Sequence, residues 1–559
     1  MRTLLLAAAM LSCLAVRPAS CQNSEPPASL SGFTLTAGDF DDPRTLPNLE
    51  TLCRVWGYAK YHHPAFYDTL RRVDIDSALF SLLPRVVHAD REIRNRHLLD
   101  WVRSLGDYAP NRVEYEQSLA PLELVSTVDL AWTRDTTLLG RDLSRLLQDL
   151  RYAERGENYY LRMGTTGNGP GYHYLSLRGE SFHPTPQMDS GLNLLTLFRL
   201  WNIIEYYAPY RAVTLHPWEE VLSTYIPLMG VETDGRRFAR LYMRLIRELN
   251  DGHAYAPIEM LFGQRMLPVW PLQADGRLFV GYSGDSALER GDEVVAIDGE
   301  PLSERLELLR EYASRSNEAS LRRAARYYGL CTRRDTAEVV LRRAGACDTL
   351  HVATVPYGNA SPLYDPAQLT QPPFRLLADS VGYIYAGTFS REHLAEVGQT
   401  LPRTRALIID LRTEPVVAWQ MVHPTLALPG LFFRQEQWIY EGFGKEAKRC
   451  AEPYKGRVIL LVNELTQSNP EFQAMALQRC PQTLTIGSPT SGADGDIVRI
   501  PLPGGLMTCF SGIGVFYPDG TPTQAVGVRL DVEVNDTVES LQAGRDLVLE
   551  KALELASGD

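Results

Sequence analysis

The strongest constraint on what this chain can fold into is an internal repeat. Asn48, Leu49, Thr51, Leu52, Arg54, Trp56, Tyr61 and Pro64 recur, each 145 places later, as Asn193, Leu194, Thr196, Leu197, Arg199, Trp201, Tyr206 and Pro209. Eight identities in one register mark two copies of one supersecondary unit. In both copies the apolar spacing is helical, proline ends the first helix, and a second amphipathic stretch follows, at 75–105 and at 218–249. Each copy reads as a helical hairpin. The copies end alike at Asp107 and Asp251, but only the second continues into Gly252 and His253. Residues 110–190, between them, mix short strand-like runs with Gly and Pro turns, and no role is assigned to that segment.

From about Arg265 the period changes from helical to strand-like. Leu278, Phe279 and Val280 precede a turn at Gly284, and Gly291, Asp292, Val294, Val295, Ile297, Asp298 and Gly299 form a second strand and turn. This run resembles the Gly-Asp and Asp-Gly strand of a PDZ domain, which implies a module that adds an extended peptide or a free C-terminus to a sheet edge; a β-hairpin without a ligand fits the same residues. Helical spacing returns at 303–328, and strands around Val339 and Val352 close the unit. The last 200 or so residues alternate strands and helices, the pattern of an α/β layer, with buried strands expected at 381–385, 406–411, 457–462 and 484–486. From Asn535 the tail is helical.

Length and composition bound the rest. A chain of 559 residues, 45% hydrophobic and 22% charged, has room for two to four domains with proper cores. A formal charge of -12 argues against a nucleic-acid partner, which would require concentrated positive charge. Arg2, the apolar run 4–16 and the small residues before Cys21 have the layout of a secretory signal peptide over 1–21, with a lipid-anchored form at Cys13 or Cys21 a poorer match. After this leader no stretch approaches the roughly 20 apolar residues of a spanning helix. The expected location is therefore periplasmic or the cell envelope. Export permits disulfides, and Cys331 with Cys347 is one candidate pair against the reading of all six remaining cysteines as buried apolar residues. No cysteines stand at metal-ligand spacing, no His-Glu-x-x-His pattern exists, and no cofactor or metal is expected.

Two readings fit the position of Ser468. The strand Val458–Val462 runs into Asn463, Glu464, Leu465, Thr466, Gln467 and Ser468, and then into a helix through Phe472, Met475 and Ala476. Ser468 with Glu471 and Pro470 fits an ordinary capping box. The same position also exposes a hydroxyl at a strand-to-helix turn, where helix N–H groups and the positive end of the dipole stabilise an oxyanion.

Four separated segments carry a wider resemblance: Ile408–Arg412; Thr466, Gln467, Ser468, Glu471 and Phe472; Ile486, Gly487, Ser488, Thr490 and Gly492–Gly495; and Tyr517–Gly520 leading to Val526–Val528. In this order they resemble the tail-specific, or C-terminal processing, serine peptidases, a superfamily that includes the tricorn core protease. The resemblance covers about 192–552 and implies a crotonase-like α/β core with a PDZ-like domain and a helical cap. With the leader and the repeat, the expected domains are a leader at 1–21, an N-terminal helical and mixed domain with the first repeat at 22–190, a cap with the second repeat at 191–262, a PDZ-like domain at 263–355 and the peptidase core at 356–559.

Residue roles follow from that resemblance. The serine before x-x-Glu is the nucleophile, which falls on Ser468. Many members use a lysine base in a Gly-Lys-Gly turn, but here the turn is Gly492, Ala493, Asp494, and the only lysines are Lys60, Lys445, Lys448, Lys455 and Lys551. The tricorn-like branch instead takes a histidine from the upstream helical region, and His253 stands at the matching place. An imidazole suits the task near neutral pH, although a residue after a glycine-capped helix end is also an ordinary surface position. Gln524 occupies the place of a glutamate that orients the imidazole. The oxyanion hole would combine the N–H of Asn469 with one from the loop after Arg412, where this chain has Thr413, Glu414, Pro415, Val416 and Val417 in place of the family's two glycines.

The expected function is an exported serine endopeptidase that cleaves protein or peptide substrates, recognised by a C-terminus, through an acyl-enzyme on Ser468. The alternative is a degenerate peptidase that captures peptides without cleaving them. Acyl-CoA chemistry of the crotonase type shares the core fold, and export and the PDZ-like run speak against it.

Overall fold

The computed structural model of the protein describes residues 31–67, 73–119, 124–154, 156–165, 173–180, 183, 189–357, 370–377, 380–414, 428–434, 437–443 and 454–558. The leader, Pro415, Val416, Val417, Lys445, Lys448 and Cys450 lie outside the described residues. Among the described residues no helix is long and apolar enough to cross a membrane.

The helical part begins with α1 (Thr45–His62) and α2 (Ile75–Val86), and continues with α3 (Ser190–Tyr207), α4 (Trp218–Gly230) and α5 (Gly235–Arg247). The repeated tryptophans and asparagines do the same work in both places. Trp56 donates its indole N–H to the Ile75 carbonyl at 2.9 Å, and Trp201 donates to that of Trp218 at 2.9 Å. Asn48 donates to Val86 and Ala89, and Asn193 to Met229 and Glu232, in each case fixing the end of the partner helix. The hairpins are less continuous than the spacing predicts. Each second stretch breaks, into Ile75–Val86 and Arg91–Ser104 and into α4 and α5, and Asp234 restarts the latter by accepting the N–H groups of Arg236 and Arg237.

At the contact between α1 and α3 equivalent positions meet. Asn202 donates one amide group to the carbonyls of both Cys53 and Phe198, themselves 145 places apart, at 3.1 and 2.8 Å. Its counterpart is Gly57, and a Cβ there would lie 1.9 Å from Asn202 Cγ. Nearby, the fully buried Lys60 pairs with Glu180 at 2.6 Å, Glu180 faces Arg199 at 3.1 Å, and Arg199 pairs with Asp76 at 2.9 Å.

A second unit is an antiparallel sheet of β1 (Val269–Ala274), β2 (Arg277–Ser283), β3 (Glu293–Ile297), β4 (Thr336–Arg343) and β5 (Ala346–Ala353), in order β5-β4-β3-β2-β1 with Glu300–Pro301 paired to β3. The helical run 303–328 is interrupted. Asn317 accepts the Ser320 N–H at 2.9 Å and starts α6 (Glu318–Tyr328). Cys331 is buried, Cys347 is exposed, and both are free thiols.

The third unit is a sheet of β6 (Phe374–Leu377), β7 (Val381–Tyr385), β8 (Ala406–Asp410), β9 (Arg457–Val462), β10 (Thr483–Gly487) and, after the hairpin β11 (Ile497–Pro501) and β12 (Met507–Ser511), β13 (Val532–Glu533). Its order is β6-β7-β8-β9-β10-β13, with β6 antiparallel and the others parallel. β7, β8 and most of β9 are buried, as their unbroken apolar runs require. The helices α7 (Asn469–Leu477) and α8 (Leu547–Ser557) flank this layer. The β11–β12 hairpin instead places Val498, Ile500 and Phe510 in the core of the helical part. It therefore joins the helices that carry His253 to the α/β layer that carries Ser468.

Candidate active site

Ser468 lies just beyond the carboxyl end of β9, where α/β sheets place their ligands. The chain turns there because Asn463 and Thr466 bond each other: the Thr466 hydroxyl accepts the Asn463 N–H at 3.1 Å and donates to the Leu411 carbonyl at 2.9 Å. Ser468 is half-buried and has φ 67° and ψ -125°, a conformation that side chains strain to adopt. Its N–H donates to the Ala493 carbonyl at 2.8 Å.

The residue that fixes this turn is Glu471, in the first turn of α7 and fully buried. Its carboxyl accepts the Thr490 hydroxyl at 2.6 Å, the Gly492 N–H at 2.7 Å, the Ala493 N–H at 3.0 Å and the Ser468 N–H at 3.2 Å. Burial raises its pKa to about 7 against the opposing pull of those four donors. The carboxyl of Asp494 next to this loop is pushed well above the usual range, first by burial and then by Glu471.

His253 follows α5 on the turn Asp251–Gly252, and its side chain is 9% exposed. Its Nδ1 is 2.8 Å from Ser511 Oγ on β12. Asp251 accepts the His253 N–H at 2.9 Å, the Ser511 N–H at 2.6 Å and the Ser511 hydroxyl at 3.0 Å. Burial holds the imidazole below its ordinary pKa, Asp251 opposes that shift, and Arg323 adds to it.

The two turns meet. Gln467, immediately before Ser468, donates its amide to the Gly252 carbonyl, immediately before His253, at 3.2 Å. A Cβ on Gly252 would stand 3.2 Å from that of Ala493. No hydrogen bond joins His253 to Ser468 among the described residues. Gln524 is buried beside this junction and donates to Ser316 Oγ at 3.5 Å, and Ser316 in turn accepts the Gly252 N–H at 2.6 Å. Gln524 thus reaches the histidine's turn through Ser316, while the groups on the imidazole and its own amide are Ser511 and Asp251. Asn469 opens α7, and its side chain donates to Glu414 at 3.2 Å. Among the described residues no group of three His, Cys, Asp or Glu is arranged to hold a metal ion.

Residues 380–534 match Peptidase family S41. That segment of the chain belongs to peptidase family S41. It makes the chain a serine-type peptidase, a hydrolase, and it contains Ser468, Glu471, Ser511 and Gln524 but not His253. No curated protein matches by sequence. Among solved structures, mature CPAF complexed with lactacystin is 15% identical with a TM-score of 0.51, over 66% of this chain and 98% of that one. Mature CPAF is 16% identical with a TM-score of 0.50, over 66% and 97%. At this identity the likeness is one of fold. The S41 segment and the helices before it together form the arrangement around Ser468.

Ser511 and the roles of Gln467 and Asp251 escaped the sequence reading. Ser511 sits in a short strand with no spacing to mark it, and its partner is 260 residues away. Asp251 was visible beside His253, and only the fold turns it toward a shared serine.

Proposed function

We propose that this chain is an exported serine endopeptidase of the C-terminal processing type, with Ser468 as nucleophile and His253 as general base. The single observation that carries this reading is the bond from Gln467 to the Gly252 carbonyl, which holds the residue before the serine against the residue before the histidine. In this reaction Ser468 Oγ attacks the scissile carbonyl as the imidazole takes its proton, the imidazolium returns that proton to the leaving amine, and water releases the acyl group by the same route. The helix start at Asn469 lends its positive end to the oxyanion.

The antiparallel sheet β1–β5 acts as a PDZ-like module for substrate tails, and the α/β layer is of the crotonase type. The two hairpins descend from one duplicated unit, supported by the paired Trp and Asn bonds. Arg2 and the apolar run 4–16 support export to the periplasm or envelope.

The test is labelling of the purified protein with a fluorophosphonate probe, with the adduct located by mass spectrometry. An adduct on Ser468, lost in Ser468→Ala and His253→Ala, is the expected result. Thr413 and Glu414, in place of two glycines, favour the peptide-binding alternative. A folded wild-type protein that binds peptides and resists the probe would select it.

A further inference from the structure

We infer that Ser511 and Asp251 are the positioning pair for His253, with the Ser511 hydroxyl relaying the Asp251 carboxylate to the imidazole. This deepens the peptidase reading and rests on it. The sequence offers Gln524 for the orienting role, but Gln524 carries no charge and contacts Ser316.

The hydrogen-bond directions follow from counting protons. Asp251 accepts three bonds, from the His253 N–H, the Ser511 N–H and the Ser511 hydroxyl, and has nothing to donate when ionised. The Ser511 hydroxyl has one proton and directs it to Asp251 Oδ1 at 3.0 Å. Its oxygen can therefore take part in the 2.8 Å contact with His253 Nδ1 only as acceptor. The neutral imidazole must then carry its proton on Nδ1, which leaves the Nε2 lone pair for the proton of a nucleophile. Asp251 is itself 4.0 Å from Nδ1, too far for a direct hydrogen bond, so the hydroxyl is needed to fix the tautomer. When the ring becomes imidazolium, the same carboxylate stabilises its charge from that distance.

Two charged groups act on the titration of the ring. Asp251 is on its own turn, Arg323 on α6 opposes the protonated form, and the Cys509 thiol on β12 donates to the His253 carbonyl rather than to the ring. The hydroxyl and the carboxylate thus have separable effects.

The experiment is the rate of fluorophosphonate labelling of Ser468 as a function of pH in full-length protein, with folding checked by thermal melting. Ser511→Ala should lower the plateau rate roughly 10- to 100-fold, part of what general base catalysis supplies. Its acid limb should stay in place, because Asp251 remains. Asp251→Asn should instead move the acid limb down by about one pH unit, since an opposite charge at close range favours the charged ring. Ser511→Thr, which retains the hydroxyl, should recover most of the rate lost in Ser511→Ala. Labelling that Ser511→Ala leaves unchanged, or a threonine variant that folds and is as slow as alanine, overturns the relay. A folded wild-type protein that never labels overturns the peptidase reading, and the relay with it.

Discussion

The carboxylate of Glu471 accepts the backbone N–H of Gly492 at 2.7 Å, tying the first turn of α7 to a loop 21 residues downstream. Thr490 and Ala493 bond the same carboxylate, so the serine turn and the loop form one clamp. Glu471→Ala removes the shared acceptor and strands buried donors at a cost of about 1–3 kcal/mol each. The variant should show a urea midpoint well below wild type and lose labelling of Ser468. Wild-type stability in this variant would mean that the clamp is not what holds the turn.

The same carboxyl makes stability depend on pH. Burial places its folded pKa at about 7, above the ordinary 4.5 of an unfolded chain. Between those values the folded protein binds the proton more tightly, so stability falls as pH rises through the window and the loss is complete above the folded value. The change is on the order of 3 kcal/mol at 1.36 kcal/mol per unit. Urea midpoints of wild type at pH 5 and pH 8 should differ in that direction. Glu471→Gln should flatten this part of the slope, and an unchanged slope would assign it to other groups, Asp494 first.

What was legible in the sequence was what repeats or runs. The paired Trp56 and Trp201 announce two hairpins because each must bury one indole against the next helix. The apolar run Val458–Val462 announces a central parallel strand because both its faces are covered. Ser468 was singled out by the resemblance of four separated segments, because its local spacing to Glu471 fits an ordinary capping box as well. The break between α4 and α5 was passed over, because 218–249 was read as one amphipathic stretch although the polar run 232–237, with Gly230, Gly235 and the Asp234 cap, marks it. Ser511 was not legible either, since its meaning lies in contacts with Asp251 and His253 that local sequence does not encode.

The contact between α1 and α3 predicts an inversion of helix propensity. Alanine is favoured over glycine by about 1 kcal/mol in a helix interior. At Gly57, however, a Cβ would lie 1.9 Å from Asn202 Cγ. Gly57→Ala should therefore destabilise the protein, by about 1–3 kcal/mol as overpacked cores do. Adding Asn202→Ala should recover part of that loss, giving a non-additive double-mutant cycle. Additive effects would mean that the two positions do not oppose each other.

The backbone of Ser468 sets stability against activity. At φ 67° and ψ -125° a side chain is strained by about 1–3 kcal/mol, and glycine is not. Glycine is also well tolerated at a helix N-cap. It enlarges the unfolded ensemble, which returns about 0.4–1 kcal/mol. Ser468→Gly should thus be more stable than wild type by about 1 kcal/mol net. Ser468→Ala retains the strain and loses the hydroxyl, so it should be no more stable than wild type. Neither variant should react with a fluorophosphonate, which separates the gain in stability from any surviving function. Thermal melts of the three proteins at one pH decide the matter. The expected order is glycine above serine, with alanine level with serine or below it. A glycine variant that melts below alanine would show that the turn is unstrained, and that the position tolerates a side chain for reasons other than the chemistry of its hydroxyl.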